Sequence, residues 1–276
     1  MFVHNHNNHM FHGGAGTSIQ VVFATIAVAV FLLYVMAVFV SFRKQHWKKF
    51  DLLRVMLFIL GMICSTFAVV GPLVEHAHIN FTIHMMGHLL LGMLGPLLMV
   101  LGAPMIFILR ALPVLLARRL TKLLNSWLIG FVSHPIVASF LNIGGLWVLY
   151  MTPLYAWMHD YPLLHLLIHI HVFLAGYVFT SAIIYIDPTP HRYSFVFRAM
   201  VLVCSLAGHD ILSKSLYAHP PIGVSQSDAE SGAMLMYYGG DLIDLGLIVI
   251  FCYHWYKATR PRFIKHDRTG EIVKMD

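Results

Sequence analysis

The chain has 276 residues, 59% of them hydrophobic and only 11% charged, with a mean hydropathy of +0.75. A water-soluble domain of this size needs more charge to cover its surface, so composition points to a chain solvated by lipid. The net charge of +6 does not indicate nucleic acid, because no basic stripe carries interleaved aromatics and the Lys and Arg residues sit between apolar runs.

Residues 1–17 carry His and Asn but no Lys or Arg, so they read as an extracytoplasmic tail and not as a cleaved signal peptide. A first apolar span, 18–42, leads to a connection holding Arg43, Lys44, Lys48, Lys49 and Arg54. The second span, 53–74, and the third, 84–109, are joined without any Lys or Arg. Segment 110–127 (RALPVLLARRLTKLLNSW) mixes basic and apolar residues and predicts an amphipathic helix on the cytoplasmic surface. The fourth span, 131–152, reaches the fifth, 162–186, through a connection again empty of basic residues. Arg192 and Arg198 mark the step to the sixth, 196–216, and Lys214 alone marks the step to the seventh, 233–256. A basic tail, 257–276, follows.

Each run is long enough to cross a hydrocarbon core of about 30 Å at 1.5 Å per residue. Seventeen of the 18 Lys and Arg residues fall in alternate connections, all on one side of the membrane, which puts the N-terminus outside and the C-terminus inside. The fold class is therefore an all-α polytopic membrane protein of seven transmembrane helices, with one membrane domain over 18–256. No internal repeat or second soluble domain is visible. Cys64, Cys204 and Cys252 all lie in apolar runs without a CxxC spacing, and read as small buried hydrophobes.

This topology places 14 of the 19 histidines on the outer side or in outer helix halves. His84 and His88 are four apart near the outer start of the third span, and His165 and His169 are four apart near the outer start of the fifth. Residues at that spacing face the same way, so two such pairs on adjacent helices offer up to four imidazole nitrogens to one ion. Imidazole suits copper, zinc, iron and nickel. Asp241 and Asp244 lie inside the seventh span and should face the bundle interior, because a charge at that depth is expensive. His209 and Asp210 lie near the outer end of the sixth. The candidate metal-ligating set is His84, His88, His165, His169, His209, Asp241 and Asp244. His88, Gly92 and Gly95 share one face of a regular helix, so close packing there is expected to hold the His pair against a neighbour.

Four stretches carry a resemblance beyond these residue patterns. HMMGHLLLGMLGPLLMVLGAP (84–104), MHDYPLLHLLIHIHVFLAGYVF (158–179), GHDILSKSLY (208–217) and YYGGDLIDL (237–245) resemble the signatures of the Gram-positive (Bacillus) type CtaG family of cytochrome c oxidase assembly factors. The resemblance implies a multi-pass protein of the bacterial plasma membrane that helps to assemble caa3-type or related haem–copper oxidases. Its partners would then be oxidase subunits, and its task the delivery or insertion of copper. His84, His88, His165, His169 and Asp241 fall within the matching stretches, but their ligand roles come from spacing and depth.

Three chemistries compete for these residues. A copper-handling assembly factor would use the histidines as ligands and the aspartates as ligands or as acceptors for imidazole N–H. An intramembrane zinc-dependent hydrolase would need three protein ligands and an activated water. Haem binding would take one His from each of two helices. Doubling of His at i, i+4 suits a small ion better than haem; among small ions the resemblance implies copper, with zinc the alternative.

Overall fold

The computed structural model describes residues 8–44, 49–77, 79–189, 192–261, 265–266 and 272–273, with side chains described over 18–43, 51–77, 79–189 and 192–261. His4 and His6 of the expected N-terminal tail, and most of the expected C-terminal tail, lie outside these residues. Among the described residues six helices are long and apolar enough to cross a membrane, and a bent helix pair, counted as one span, brings the number to seven. The expected all-α, seven-span architecture is therefore present, with one short addition. Lys265–His266 and Ile272–Val273 pair as two-residue antiparallel strands.

Helix α1 (Asn8–Lys44) and α2 (Lys49–Val69) form the first two spans. Gly71 adopts the left-handed conformation (φ 97°) that turns the chain into the short α3 (Pro72–Ala77). The third span differs from the single helix expected over 84–109. It consists of α4 (Phe81–His88), a π-helical turn at Leu89–Leu94 and α5 (Gly95–Leu101). Ala103 then takes a left-handed conformation (φ 49°), and α6 (Pro104–Ala111) departs as a separate helix.

The π turn has a visible cause. Pro96 lacks an N–H and its ring would collide with the carbonyl of residue 92 in regular α geometry. The helix widens just before it, and the Gly95 N–H reaches back five residues to the Leu90 carbonyl. This wide turn separates glycines that a regular helix would align. A Cβ at Gly92 would stand 2.9 Å from Val172, whereas one at Gly95 would run into Ser65. The expected common face of His88, Gly92 and Gly95 therefore does not form, because the wide turn rotates Gly95 toward the second span.

Helix α7 (Val114–Leu124) buries none of its residues and forms the expected amphipathic element; α8 (Trp127–Val132) follows it. The fourth span is α9 (Pro135–Ser139), a second π turn at Phe140–Gly144, and α10 (Gly145–Met151). At Thr152–Pro153 the chain bends by 77° into α11 (Leu154–Asp160). The last spans are α12 (Pro162–Ile184), α13 (Phe195–Ala218) and α14 (Gln226–Thr259). Helix α14 starts seven residues earlier than 233 because Ser225 caps it, its hydroxyl accepting from the Asp228 N–H.

Among the described residues four apolar clusters are buried in the bundle, two of them large. One contains Phe81, Met85, Tyr150, Leu212 and Met236, and the other Leu97, Phe179, Leu202, Leu247 and Phe251. Buried Arg198 anchors the inner end of α13. Its guanidinium donates to the Ile183 and Tyr193 carbonyls and lies over the Tyr185 and Phe195 rings at 4.3 and 4.4 Å. Cys204 and Cys252 are exposed on the bundle's outside, not buried as expected, because α13 and α14 turn those positions away from their neighbours.

Candidate functional site

The histidine-bearing helix is fixed from its first turn. Asn80 caps α4, its side-chain carbonyl accepting from the Ile83 N–H at 3.0 Å. The two amides before that, Phe81 at 2.6 Å and Thr82 at 3.3 Å, donate to the carboxylate of Asp228 on α14. The Thr82 hydroxyl adds a bond to the same carboxylate at 3.1 Å. Every orphan N–H of this first turn thus has an acceptor, and an anion sits at the positive end of the helix. Asp228 occupies the third position of an S-x-x-D capping box, yet its carboxylate serves a neighbouring helix in place of its own.

His84 and His88 project from α4, as their spacing predicts, into a cavity of about 30 Å³. His165 and His169 of α12 line the same cavity, so both predicted pairs meet there. His159 of α11 also lines it, carried in by the 77° bend. The His165 and His169 rings stack with centroids 4.1 Å apart. His84 Nε2 lies 3.1 Å from the Tyr150 hydroxyl. His159 Nδ1 is 2.9 Å from the Tyr155 carbonyl, and His169 Nδ1 is 2.8 Å from the His165 carbonyl. A carbonyl can only accept, so both rings carry their proton on Nδ1. The lone pair then sits on Nε2, the tautomer that a metal ligand held by its neighbours adopts.

A second cavity, also about 30 Å³, lies on the other side of His88. His88, Met93, Asn142, Ser205, His209 and Asp244 give it its polar and sulfur groups. His88 is thus the wall between the two spaces. His209 is 1% exposed and His88 7%, and Asp244 is also buried. The position of His209 depends on Gly240 of α14, since a Cβ there would stand 2.6 Å from the His209 ring. Each cavity has room for about one water or one small ion.

The seven candidate ligands therefore divide. His84, His88, His165 and His169 share one space; His88, His209 and Asp244 share the other. Asp241 lines neither and is exposed. It faces outward, within hydrogen-bonding reach of Asp210, contrary to the expected interior placement. Helix α13 covers a single face of α14, so Asp241 and Asp244 differ in burial, and Lys214 lies one turn along α13 from Asp210. Among the described residues no three His, Cys, Asp or Glu side chains stand together closely enough to hold an ion as they are placed.

Sequence reasoning passed over Tyr150, His159 and Asp228. The S-x-x-D spacing at Ser225–Asp228 was a legible sign of a helix start, but its service to α4 is a tertiary fact. Thr152–Pro153 was a legible break, and only its angle brings His159 inward.

Comparison with known proteins bears on the whole chain. A family model described as cytochrome c oxidase caa3 assembly factor (Caa3_CtaG) matches residues 32–258. An uncharacterized protein of Mycobacterium leprae is 26% identical over 170 residues, which cover 56% of this chain and 26% of that protein. Uncharacterized proteins of Mycobacterium bovis and Mycobacterium tuberculosis are each 37% identical over 89 residues, 32% of this chain and 14% of theirs. The chain thus spans about a quarter or less of the length of these curated relatives. No solved structure matches.

Proposed function

The chain belongs to the cytochrome c oxidase caa3 assembly factor family, and from that premise we propose that it binds copper near the outer face of the bacterial plasma membrane and delivers it to a haem–copper oxidase. The observation that carries this reading is the cavity where His84, His88, His159, His165 and His169 converge. Two of those rings, His159 and His169, place Nδ1 against a carbonyl, the arrangement in which a neutral imidazole coordinates through Nε2. Copper is the cargo here. Imidazoles suit it, and small rearrangements of ring orientation separate a holding site from a releasing one.

The oxidase subunits are the proposed recipients, met within the bilayer, and nucleic acid has no part in the reading. A zinc-dependent hydrolase would need room for a substrate beside its ion. Each cavity accommodates about one water, so the hydrolase reading has less support.

The test is metal content of the detergent-purified full chain after copper or zinc loading, beside a His165→Ala/His169→Ala variant. Stoichiometric copper that falls in the variant is the expected result. Stoichiometric zinc in its place would favour the hydrolase, and no metal under any loading would overturn the copper reading.

A further inference from the structure

We propose that His88 and His209 form a separate intramembrane site for one monovalent copper ion, held between two imidazoles below the outer histidine cavity. This rests on the copper reading above and adds the residues, the oxidation state and the coordination number.

The first support is an unmet need. His88 Nε2 and both ring nitrogens of His209 are buried and have no hydrogen-bond partner. A buried polar atom without a partner is rare enough to require a reason, and a bound ion is one of the recognised reasons. Both rings line the same cavity.

The second support is distance. The two ring centroids are 6.2 Å apart and the ring planes differ by 25°. A metal–imidazole bond is about 2.0 Å, and a ring nitrogen lies about 1.1 Å from its centroid, so two imidazoles on opposite sides of one ion have centroids about 6.2 Å apart. The observed spacing is what such a bridge requires once each ring turns a nitrogen toward the other; as placed, the two rings are stacked.

The third support is the donor set. Zinc asks for four ligands, more than the two imidazoles and one carboxyl that this cavity offers. Monovalent copper accepts two ligands in a line. Soft donors select it, and the thioether-bearing Met93 lines this same cavity. Buried Asp244 supplies a carboxyl in the same space, where a cation in a low dielectric requires a countercharge.

The fourth support is continuity. His88 belongs to both cavities, so an ion on the outer histidines exchanges one partner set for the other while keeping His88. Gly92 and Gly240 leave room for the two rings: a Cβ would stand 3.4 Å from His88 Nδ1 and 2.6 Å from His209 Cε1.

The experiment is copper K-edge X-ray absorption on the detergent-purified full chain, loaded anaerobically with one equivalent of Cu(I). The expected first shell is two nitrogens with imidazole outer-shell scattering. That signature persists in His165→Ala/His169→Ala and is lost in His209→Ala. Gly240→Ala, which displaces the His209 ring, weakens Cu(I) binding at least tenfold in competition with a chromophoric chelator. Circular dichroism and thermal unfolding check that each variant is folded. If His209→Ala does not fold, the coordination number of the unmodified protein decides alone. Copper held by three or four nitrogens, or retained unchanged in a folded His209→Ala, overturns this site and leaves the copper function standing. Absence of Cu(I) binding in the unmodified protein overturns both.

Discussion

Asp228→Ala should release the first turn of α4 and loosen the histidines it carries. The carboxylate accepts from the Phe81 and Thr82 amides and from the Thr82 hydroxyl. Leaving one partly buried amide without an acceptor costs about 1–3 kcal/mol, and losing an anion at a helix N-terminus costs about 0.3–1 kcal/mol more. The sum centres on about 2–3 kcal/mol. Asp228→Asn keeps an acceptor oxygen for Phe81 and gives up the charge, so about 1 kcal/mol is expected. Thermal unfolding in detergent should rank the proteins in the order unmodified, Asn, Ala. Hydrogen exchange should show faster amides at residues 81–83 in the Ala variant, since Asn80 alone then holds the turn. An Ala variant as stable and as protected as the unmodified protein would refute the idea that α14 positions the His84/His88 segment through this carboxylate.

Gly176→Ala should cost about 1–3 kcal/mol, because its Cβ would be driven into the Gly92 carbonyl and stand 3.3 Å from Pro96. Gly246→Ala, with nothing within 4 Å of its Cβ, is the matched control and should be neutral or slightly stabilising in the same unfolding assay. Arg198→Met leaves the Ile183 carbonyl without its donor and should cost about 2–4 kcal/mol; Lys at this position should not restore the loss, since it cannot fork between two carbonyls while stacking on Tyr185. Burial raises the Asp187 carboxyl to about 6, against the lowering effect of the Met105 and Ile106 amides. A raised carboxyl binds its proton more tightly in the folded state, so its contribution disfavours folding above pH of about 6 and that penalty fades as pH falls toward about 4. The melting temperature of the unmodified protein relative to Asp187→Asn should therefore rise as pH is lowered from 7 to 5, and a flat difference would contradict it.

Much of this architecture is readable in the chain because membranes simplify the code. Apolar runs fix the spans, and basic residues fix their orientation. The i, i+4 spacing of His84/His88 and His165/His169 translated directly into a shared cavity, since both pairs lie in regular helix at similar depth. Departures came where helices stop being regular. Pro96 announced trouble, but the size of the widened turn, and hence the redirection of Gly95, depends on the fit of α5 against Gly61 and Ser65. Asp241 and Asp244 are only three residues apart, and the sequence treats them alike. One is buried and one exposed because α13 covers a single face of α14.

The widened turn at Leu89–Leu94 also makes the third span a shaft with a torsional joint. Below the joint, α5 is locked to α2: a Cβ at Gly61 would stand 2.7 Å from the Gly95 carbonyl, so the two backbones meet without side chains between them. Above it, α4 hangs from Asp228 and Asn80. His88, the last residue of α4, stands at this joint, so the wall between the two cavities sits where the segment held by α14 meets the segment locked to α2.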